Sequence, residues 1–479
     1  MKKLLLIPSL ILISLSAAAK KPADNTRTTG YRYLEENATV YDALQKEVFA
    51  YSEPGYQEYK SSRAIANHLE ANGFSVEMGA ADIPTAFVAT YGSGRPVIGL
   101  LGEYDALVGM SQTAEPRPHP AIEGAAGHAC GHNLLGTAPA AAAVAISKWL
   151  AEGHSGTIKY FGCPAEEGGG GKSYMVASGC FKDCDAVLDW HPADENNVKL
   201  WTGLANVRVV FTFHGQSAHA GSAPWEGRSA LDGVESFNYL MNLMREHVTP
   251  DTRIHYAITG GGQAPNVVPN FAQVCYYIRS SKGTNLIPLL DRAVKAAEGA
   301  ALGTGTTMSY EVINGSYERF INETLSEVYL KNLKKVGGTV LDEDEKEYCR
   351  QIFKNSGKEP DDLSNFTRIS EGLGKREAKG ASSDAGNVSQ VVPMATLRYA
   401  AFPKASSLHS WQVAASAGSG IGTKVLLNVA RIQYLTALDL LGDPALIGRI
   451  KDEYSATRGA DFEYKQLQGD RKPPFDYCK

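Results

Sequence analysis

The stretch TIKYFGCPAEEGGGG, residues 157–171, decides how the rest of the chain is read. Thr157 to Gly162 is apolar and aromatic enough for a buried strand, and Cys163-Pro164-Ala165 leads out of it into two adjacent carboxylates, Glu166 and Glu167. Four glycines follow, and glycine lets backbone pack closely. A Glu-Glu pair by itself usually marks a solvated acidic loop. That meaning is less natural between a buried strand and four glycines. Adjacent carboxylates at a strand end can divide labour, one holding a metal while its neighbour takes a proton from water.

Two further apolar runs end in the same kind of residue. Pro96 to Leu101 (PVIGLL) runs into Gly102-Glu103-Tyr104-Asp105, and Ala186 to Asp189 runs into Trp190-His191-Pro192. Ligands of open α/β sheets bind beyond the carboxyl ends of the strands, so three such ends are expected to share one crevice. His191 taken singly is equally well a buried, hydrogen-bonded structural histidine. A fourth cluster, Gly127-His128-Ala129-Cys130-Gly131-His132-Asn133, offers imidazole and thiolate, both good zinc ligands. Its spacing leaves open whether His128 or His132 joins Cys130.

Helical periodicity covers Tyr41 to Val48, Lys60 to Asn72 and the alanine-rich Asn133 to Leu150. A different texture starts near Ala205. Strand-like Val207 to Phe213, Val274 to Ile278 and Met308 to Ile313 alternate with helical Ser229 to Arg245 and Leu286 to Ala300, which reads as a compact α+β insert. Helical Glu323 to Lys335 follows, then a charged, loop-like stretch from Asp342 to Lys379. A strand at Thr396 to Ala400 and helices at Gly422 to Leu441 and Pro444 to Tyr454 complete the chain. The expected organisation is one α/β catalytic domain in two halves, residues 30–205 and 317–479, interrupted by an insert at 206–316.

Lys2 and Lys3, the apolar run Leu4 to Leu15 and Ala17-Ala18-Ala19 read as a secretory signal peptide over residues 1–19. The expected location is therefore exported, periplasmic or secreted. A formal charge of -5 provides no basic excess for phosphates, which argues against nucleic acid and anionic membranes as partners. Seven cysteines in so long a chain do not make a disulfide scaffold. An odd count in an oxidising compartment leaves at least one thiol unpaired within the chain, and a metal-ligand role would explain it. The short spacing of Cys180 and Cys184 reads as coincidence.

Taken together, Cys130-Gly131-His132, Pro164-Ala165-Glu166-Glu167 and His191 resemble the metal motifs of the co-catalytic zinc peptidases and amidohydrolases, the family of aminoacylases and glutamate carboxypeptidases. The cysteine is similar to that of the auxin–amino acid conjugate hydrolases. GHACGHN (127–133), GCPAEEGGGGK (162–172), SAHAGSAPWEGRSALD (217–232), GGQAPNVVP (261–269) and SSDAGNVSQVVP (382–393) look like the p-aminobenzoyl-glutamate hydrolase branch.

The resemblance implies a mixed-sheet di-metal catalytic domain with a ferredoxin-like lid and dimerisation insert. It implies two divalent ions per chain, zinc or else manganese, with Cys130 between them and His132, Glu167, His191 and His409 (in SSLHSW, 406–411) completing the donors. Glu166 takes the place of the general base, and Asp105 stands close behind the ligands. His219 matches a lid histidine that steadies the oxyanion in a partner's site. Asn266 and Arg279 match substrate-binding positions, and a guanidinium suits a carboxylate because its planar fork makes a paired contact.

The implied substrate is a small N-acyl or N-aroyl amino acid, p-aminobenzoyl-glutamate-like, or a dipeptide. The implied assembly is a homodimer, or a pair with a related second subunit. Two positions depart from relatives: Glu103 stands where those outside this branch carry histidine, and Asn133 where aspartate is common among the auxin-conjugate enzymes. The rival readings are a catalytically degenerate periplasmic binding protein and a two-metal hydrolase of another ester or amide class. The first does not explain Glu166 beside a full ligand set. A phosphate-ester hydrolase, within the second, would want more basic groups than the motifs contain.

Overall fold

The computed structural model describes residues 28–404, 406–459 and 461–478, so the segment read as a signal peptide lies outside the described residues. In chain order the strands are β1 (Ser75–Met78), β2 (Phe87–Ser93), β3 (Val97–Glu103), β4 (Gly156–Cys163) and β5 (Ala186–Ala193). They continue as β6 (Ala205–His214), β7 (Arg253–Gly260), β8 (Phe271–Ser280), β9 (Thr307–Ser316) and β10 (Met394–Ala400). Two sheets result, one in the order β1-β2-β4-β3-β5-β10 and one in the order β7-β8-β6-β9.

The six-stranded sheet is mixed. Strands β4, β3, β5 and β10 run parallel, and β1 and β2 are antiparallel additions at one edge. Every residue of β3 is buried, as the continuous apolar run VIGLLGE requires of a strand covered on both faces. The helix His132–Leu150 covers one of those faces and buries every residue except Lys148. Its small residues allow a close approach: a Cβ at Gly136 would lie 2.7 Å from the carbonyl oxygen of Glu103. Trp190 donates its indole N–H to the Leu135 carbonyl at 3.2 Å, tying β5 to the same helix. The helix Gly420–Leu441 packs against that helix and shares its core.

Parallel pairing brings strand ends into line. Glu103 pairs in register with Cys163, and His191 with Arg398, so the residues that follow β3 and β4 emerge beside the end of β5. These are the strand ends on which the α/β reading of the chain rests.

The second sheet is wholly antiparallel and has its own core, in which the helices Ala230–Met244 and Gly283–Thr304 pack against it. Asn206 of β6 is flanked in register by Arg279 of β8 and Ser316 of β9, which lines up three polar side chains on one face.

The structure corrects the sequence reading at several elements. The insert has four strands rather than three, because β7 is an exposed edge strand in which only Ile254 is buried. Strands β1 and β2 and the first helix, Thr28–Glu36, are further elements that the sequence pattern does not mark. The stretch from Asp342 to Lys379 is not all loop, since Glu343–Asn355 is a helix. Asp342 and Glu345 form a reciprocal capping box at its start, and Cys349, Ile352 and Phe353 supply a narrow buried stripe.

Candidate metal centre

Four pieces of chain meet at the carboxyl edge of the six-stranded sheet. The turn Cys130-Gly131-His132 opens a helix, and Gly131 has a left-handed backbone (φ 78°) that turns Cys130 and His132 toward one space. A Cβ there would lie 3.0 Å from the Pro192 ring. Two non-glycine residues at the site also adopt left-handed backbone, Ala165 (φ 58°) and His409 (φ 61°). Such residues persist only where their surroundings over-determine them. Ala165 is held on both sides: its N–H donates to Glu58 Oε1 at 2.8 Å, and its carbonyl accepts from Gly170 N at 2.8 Å. Tyr56 donates to the Gly169 carbonyl at 2.8 Å, so the loop carrying Glu166 and Glu167 is clamped from below.

His132 is fully buried, with Nδ1 2.9 Å from Asp105 Oδ1 and 3.1 Å from the Asp105 carbonyl. That contact keeps the Nδ1 proton on the Asp105 side and turns the Nε2 lone pair into the site, the arrangement usual for a metal-binding imidazole. Asp105 uses its other oxygen to accept the Glu167 N–H at 2.9 Å. It therefore orients two donors from one layer behind them.

His132, not His128, is the histidine that joins Cys130. His128 donates Nε2–H to the Val48 carbonyl at 3.1 Å and stacks on Phe49. Burial pushes its imidazole down to about 3, so it is a neutral structural histidine.

The donor atoms of Cys130, His132 and His191 lie within 4.8 Å of one another, and so do those of Cys130, Glu167 and His409. Cys130 belongs to both groups. His191 donates Nδ1–H to the Pro192 carbonyl at 2.7 Å and turns Nε2 to within 3.5 Å of the Cys130 sulfur. Burial lowers its pKa to about 4, which leaves the ring neutral and able to donate a lone pair. Among the described residues, His132 Nε2 and Glu167 Oε1 are buried without a hydrogen-bond partner. Native structures rarely bury such atoms unsatisfied. One thiolate, three imidazoles and a carboxylate fit divalent metal, and zinc especially.

Glu166 borders this cluster. Burial, then the charges of Glu103 and Glu167, push its carboxyl well above the usual range, the direction a proton acceptor working near neutrality requires. A cavity of about 300 Å³ opens in front of it, lined among others by Glu166, Glu167, His409, Tyr277 and Arg279. The Arg279 guanidinium lies over the Tyr277 ring, 5.1 Å from its centre, and contacts Ser382 Oγ at 3.4 Å. The two sheets thus contribute to one cavity.

His219 and Asn266 lie elsewhere. Neither lines this cavity among the described residues. They are neighbours in the insert, where Ala220 N–H donates to the Asn266 carbonyl at 3.0 Å. His219 is exposed; its Nδ1 accepts the N–H groups of Gly221 and Ser222, each at 3.1 Å, which leaves Nε2–H free to point outward.

At the site, Glu103 enters the sequence reading only as a departure from relatives, and Lys172 and Asp384 are given no role in it. Glu103, Lys172 and Asp384 form a buried ion triad behind Glu166, with Lys172 Nζ 2.6 Å from each carboxylate. Burial opposes charge on Glu103, but Lys172 and His132 hold its carboxyl down at about 2. The available signal was a charged residue closing each of three motifs: the strand-end Glu103, the lysine after four glycines and the aspartate of SSDAGN.

The model of peptidase family M20/M25/M40 matches residues 99–396. A p-aminobenzoyl-glutamate hydrolase chain of Escherichia coli (strain K12) is 36% identical over 454 residues, covering 88% of this chain and 94% of that protein. The Xaa-Arg dipeptidase of Homo sapiens is 30% identical, covering 88% and 90%. Among solved structures, a dinuclear metal binding peptidase of the M20 family from Bacillus subtilis has a similar fold, with a TM-score of 0.57 at 15% identity. That match covers 85% of this chain and 99% of that one.

The shared position of Cys130 has a measurable consequence. After metal loading and dialysis, Cys130→Ala is expected to lose both ions, because both donor groups use that sulfur. His191→Ala and His409→Ala should each lose about one, with donor loss lowering affinity on the order of 10–100-fold or more. Metal analysis of the dialysed proteins decides the matter, and equal loss in all three variants would remove Cys130 from its shared role.

Proposed function

The chain belongs to peptidase family M20/M25/M40, whose members hydrolyse amide bonds, and on that premise we propose that it is a two-metal enzyme cleaving N-acyl or N-aroyl amino acids. Conjugates like p-aminobenzoyl-glutamate are the first candidates and dipeptides the second. One observation carries the reading: a carboxylate of raised proton affinity, two members (Glu167 and His409) of the donor cluster around the Cys130 thiol, and a guanidinium all border one small cavity. The bacterial and the human relative are both named for substrates with an amide bond and a free carboxylate.

Cys130, His132, Glu167, His191 and His409 would hold two divalent ions, zinc suiting the thiolate and imidazoles and manganese favoured more by oxygen donors. Ions bound there would supply polarisation of the amide carbonyl and a more acidic water. Glu166 takes a proton from the attacking water as the water oxygen bonds to the carbonyl carbon. It then delivers the proton to the amide nitrogen as the C–N bond breaks. Asp105 acts through His132 and Glu167, keeping both oriented. Arg279 pairs with the substrate carboxylate, and stacking on Tyr277 keeps its planar fork turned into the cavity.

His219 needs a second chain. An exposed histidine with Nε2–H outward, outside the cavity of its own chain, suits donation to the oxyanion in a partner's cavity. Asn266 beside it would travel with it. We read the assembly as a homodimer, and the basic start, apolar run and alanine triplet of residues 1–19 as export to the periplasm or beyond.

Glu166→Gln is expected to keep both ions while turnover of N-aroyl-glutamate falls about 10²- to 10⁴-fold. Near-normal turnover at full metal occupancy contradicts the assignment.

Mixing separately inactive His219→Ala and Glu166→Gln chains under subunit exchange should restore activity, because a mixed dimer has one intact site. Recovery should approach about a quarter of wild type for random reassortment of independent sites. If subunits exchange and nothing is recovered, His219 does not act across the interface.

A further inference from the structure

Lys172 follows the four glycines directly and is fully buried. Burying a charged lysine is costly unless it is paired and hydrogen-bonded. Here the pairing is double. Asp384 grips the residue twice, accepting from its backbone N–H at 2.9 Å and from Nζ at 2.6 Å. The same Nζ lies 2.6 Å from Glu103 Oε1. Glu103 and Asp384 are each only 2% exposed, so all three charges share one water-poor space.

The other oxygen of Glu103 faces the metal centre. Glu103 Oε2 is 3.4 Å from His132 Nε2 and has no hydrogen-bond partner among the described residues. Donor atoms of Glu103, His132 and Glu166 lie within 4.8 Å of one another, as close a grouping as the two sets that share Cys130. By position alone Glu103 is thus as eligible a ligand as Glu167. What separates the two is their partners. Glu167 meets His132 and His409, whereas Glu103 already has an ammonium ion on its far oxygen.

We propose that Lys172 is a built-in cation that holds Glu103 outside the metal donor set and so keeps a coordination position open for substrate and water. The inference rests on the two-metal reading and adds a positioning residue to it. Catalytic metal sites differ from structural ones in retaining an open position, and an extra carboxylate ligand would fill it. Asp384 makes the arrangement stable, because it keeps the ammonium in place instead of letting the flexible lysine stem follow Glu103. The metal ions never compete with Lys172 for one atom. They compete for the carboxylate as a whole, and the short, doubly anchored ion pair retains it.

The test uses full-length protein loaded with cobalt(II), whose visible bands weaken as coordination number rises. Wild type should bind two ions. Lys172→Met and Lys172→Gln, the second still able to hydrogen-bond both carboxylates, should also bind two. Their bands should be clearly weaker and kcat lower by about 10- to 100-fold, with KM little changed. The double variant Glu103→Gln/Lys172→Met should recover band intensity and much of the lost kcat.

Glu103→Gln alone, which leaves Lys172 paired with Asp384, should retain wild-type bands and both ions even if neither lysine variant folds. Wild-type bands in folded Lys172→Gln, no recovery in the double variant, or loss of an ion from Glu103→Gln would each overturn the proposal. Fewer than two ions in wild type would instead overturn the two-metal reading.

Discussion

Glu103, Asp105, Glu166, Glu167 and Asp384 crowd with the thiol of Cys130 into one corner of the protein where little water reaches. Charges of one sign at such separations repel strongly in a low-dielectric interior, so they cannot all ionise without counter-charge. Lys172 supplies one positive charge, and it is committed to Glu103 and Asp384. The remaining demand lies on the Cys130 side, where the unpartnered Nε2 of His132 and Oε1 of Glu167 face the same space. Two divalent ions meet that demand in charge and in donor chemistry. The rest of the architecture can be understood as the means of assembling this corner.

Parallel strands deliver it. Because β3, β4 and β5 run together in register, their ends release Glu103 and Asp105, Glu166 and Glu167, and His191 at one edge of the sheet, around His132 and Cys130. The alanine-rich helix behind them starts with the very turn that carries Cys130 and His132, so packing of that helix fixes two donors at once. Rigid elements hold the donors, while left-handed Ala165 and His409 bend the loops that carry the rest. The insert has an independent core and brings Arg279 to the same cavity from the opposite side. The groups proposed for catalysis and for recognition therefore belong to different bodies, which suits a cleft that must open for substrate and product.

Legibility in the sequence followed the distance between partners. An apolar run and the ligand that ends it are contiguous, so TIKYFGCPAEE and the turn around Cys130 could be interpreted directly. Spacing alone leaves His128 and His132 open and only the family resemblance points to His132; the physical reason, the Val48 carbonyl 80 residues away that engages His128, is visible only in the fold. Glu103 read as a puzzling substitution because its explanation lies in Lys172 and in Asp384, 212 positions beyond that lysine. Element errors had a similar origin. Strand β7 shows little alternation because its exposed edge buries one side chain. The helix Glu343–Asn355 is so polar that its capping box and three apolar residues did not outweigh its charge.

The central claim is that one sulfur serves two neighbouring metal ions. X-ray absorption at the zinc edge of the fully loaded protein tests it most directly. The account requires a sulfur shell at about 2.3 Å and a metal–metal vector of about 3.5–4 Å, both present in wild type and both lost when Cys130 is replaced by alanine. A spectrum fitted by nitrogen and oxygen alone, or by isolated ions with no metal neighbour, would contradict it.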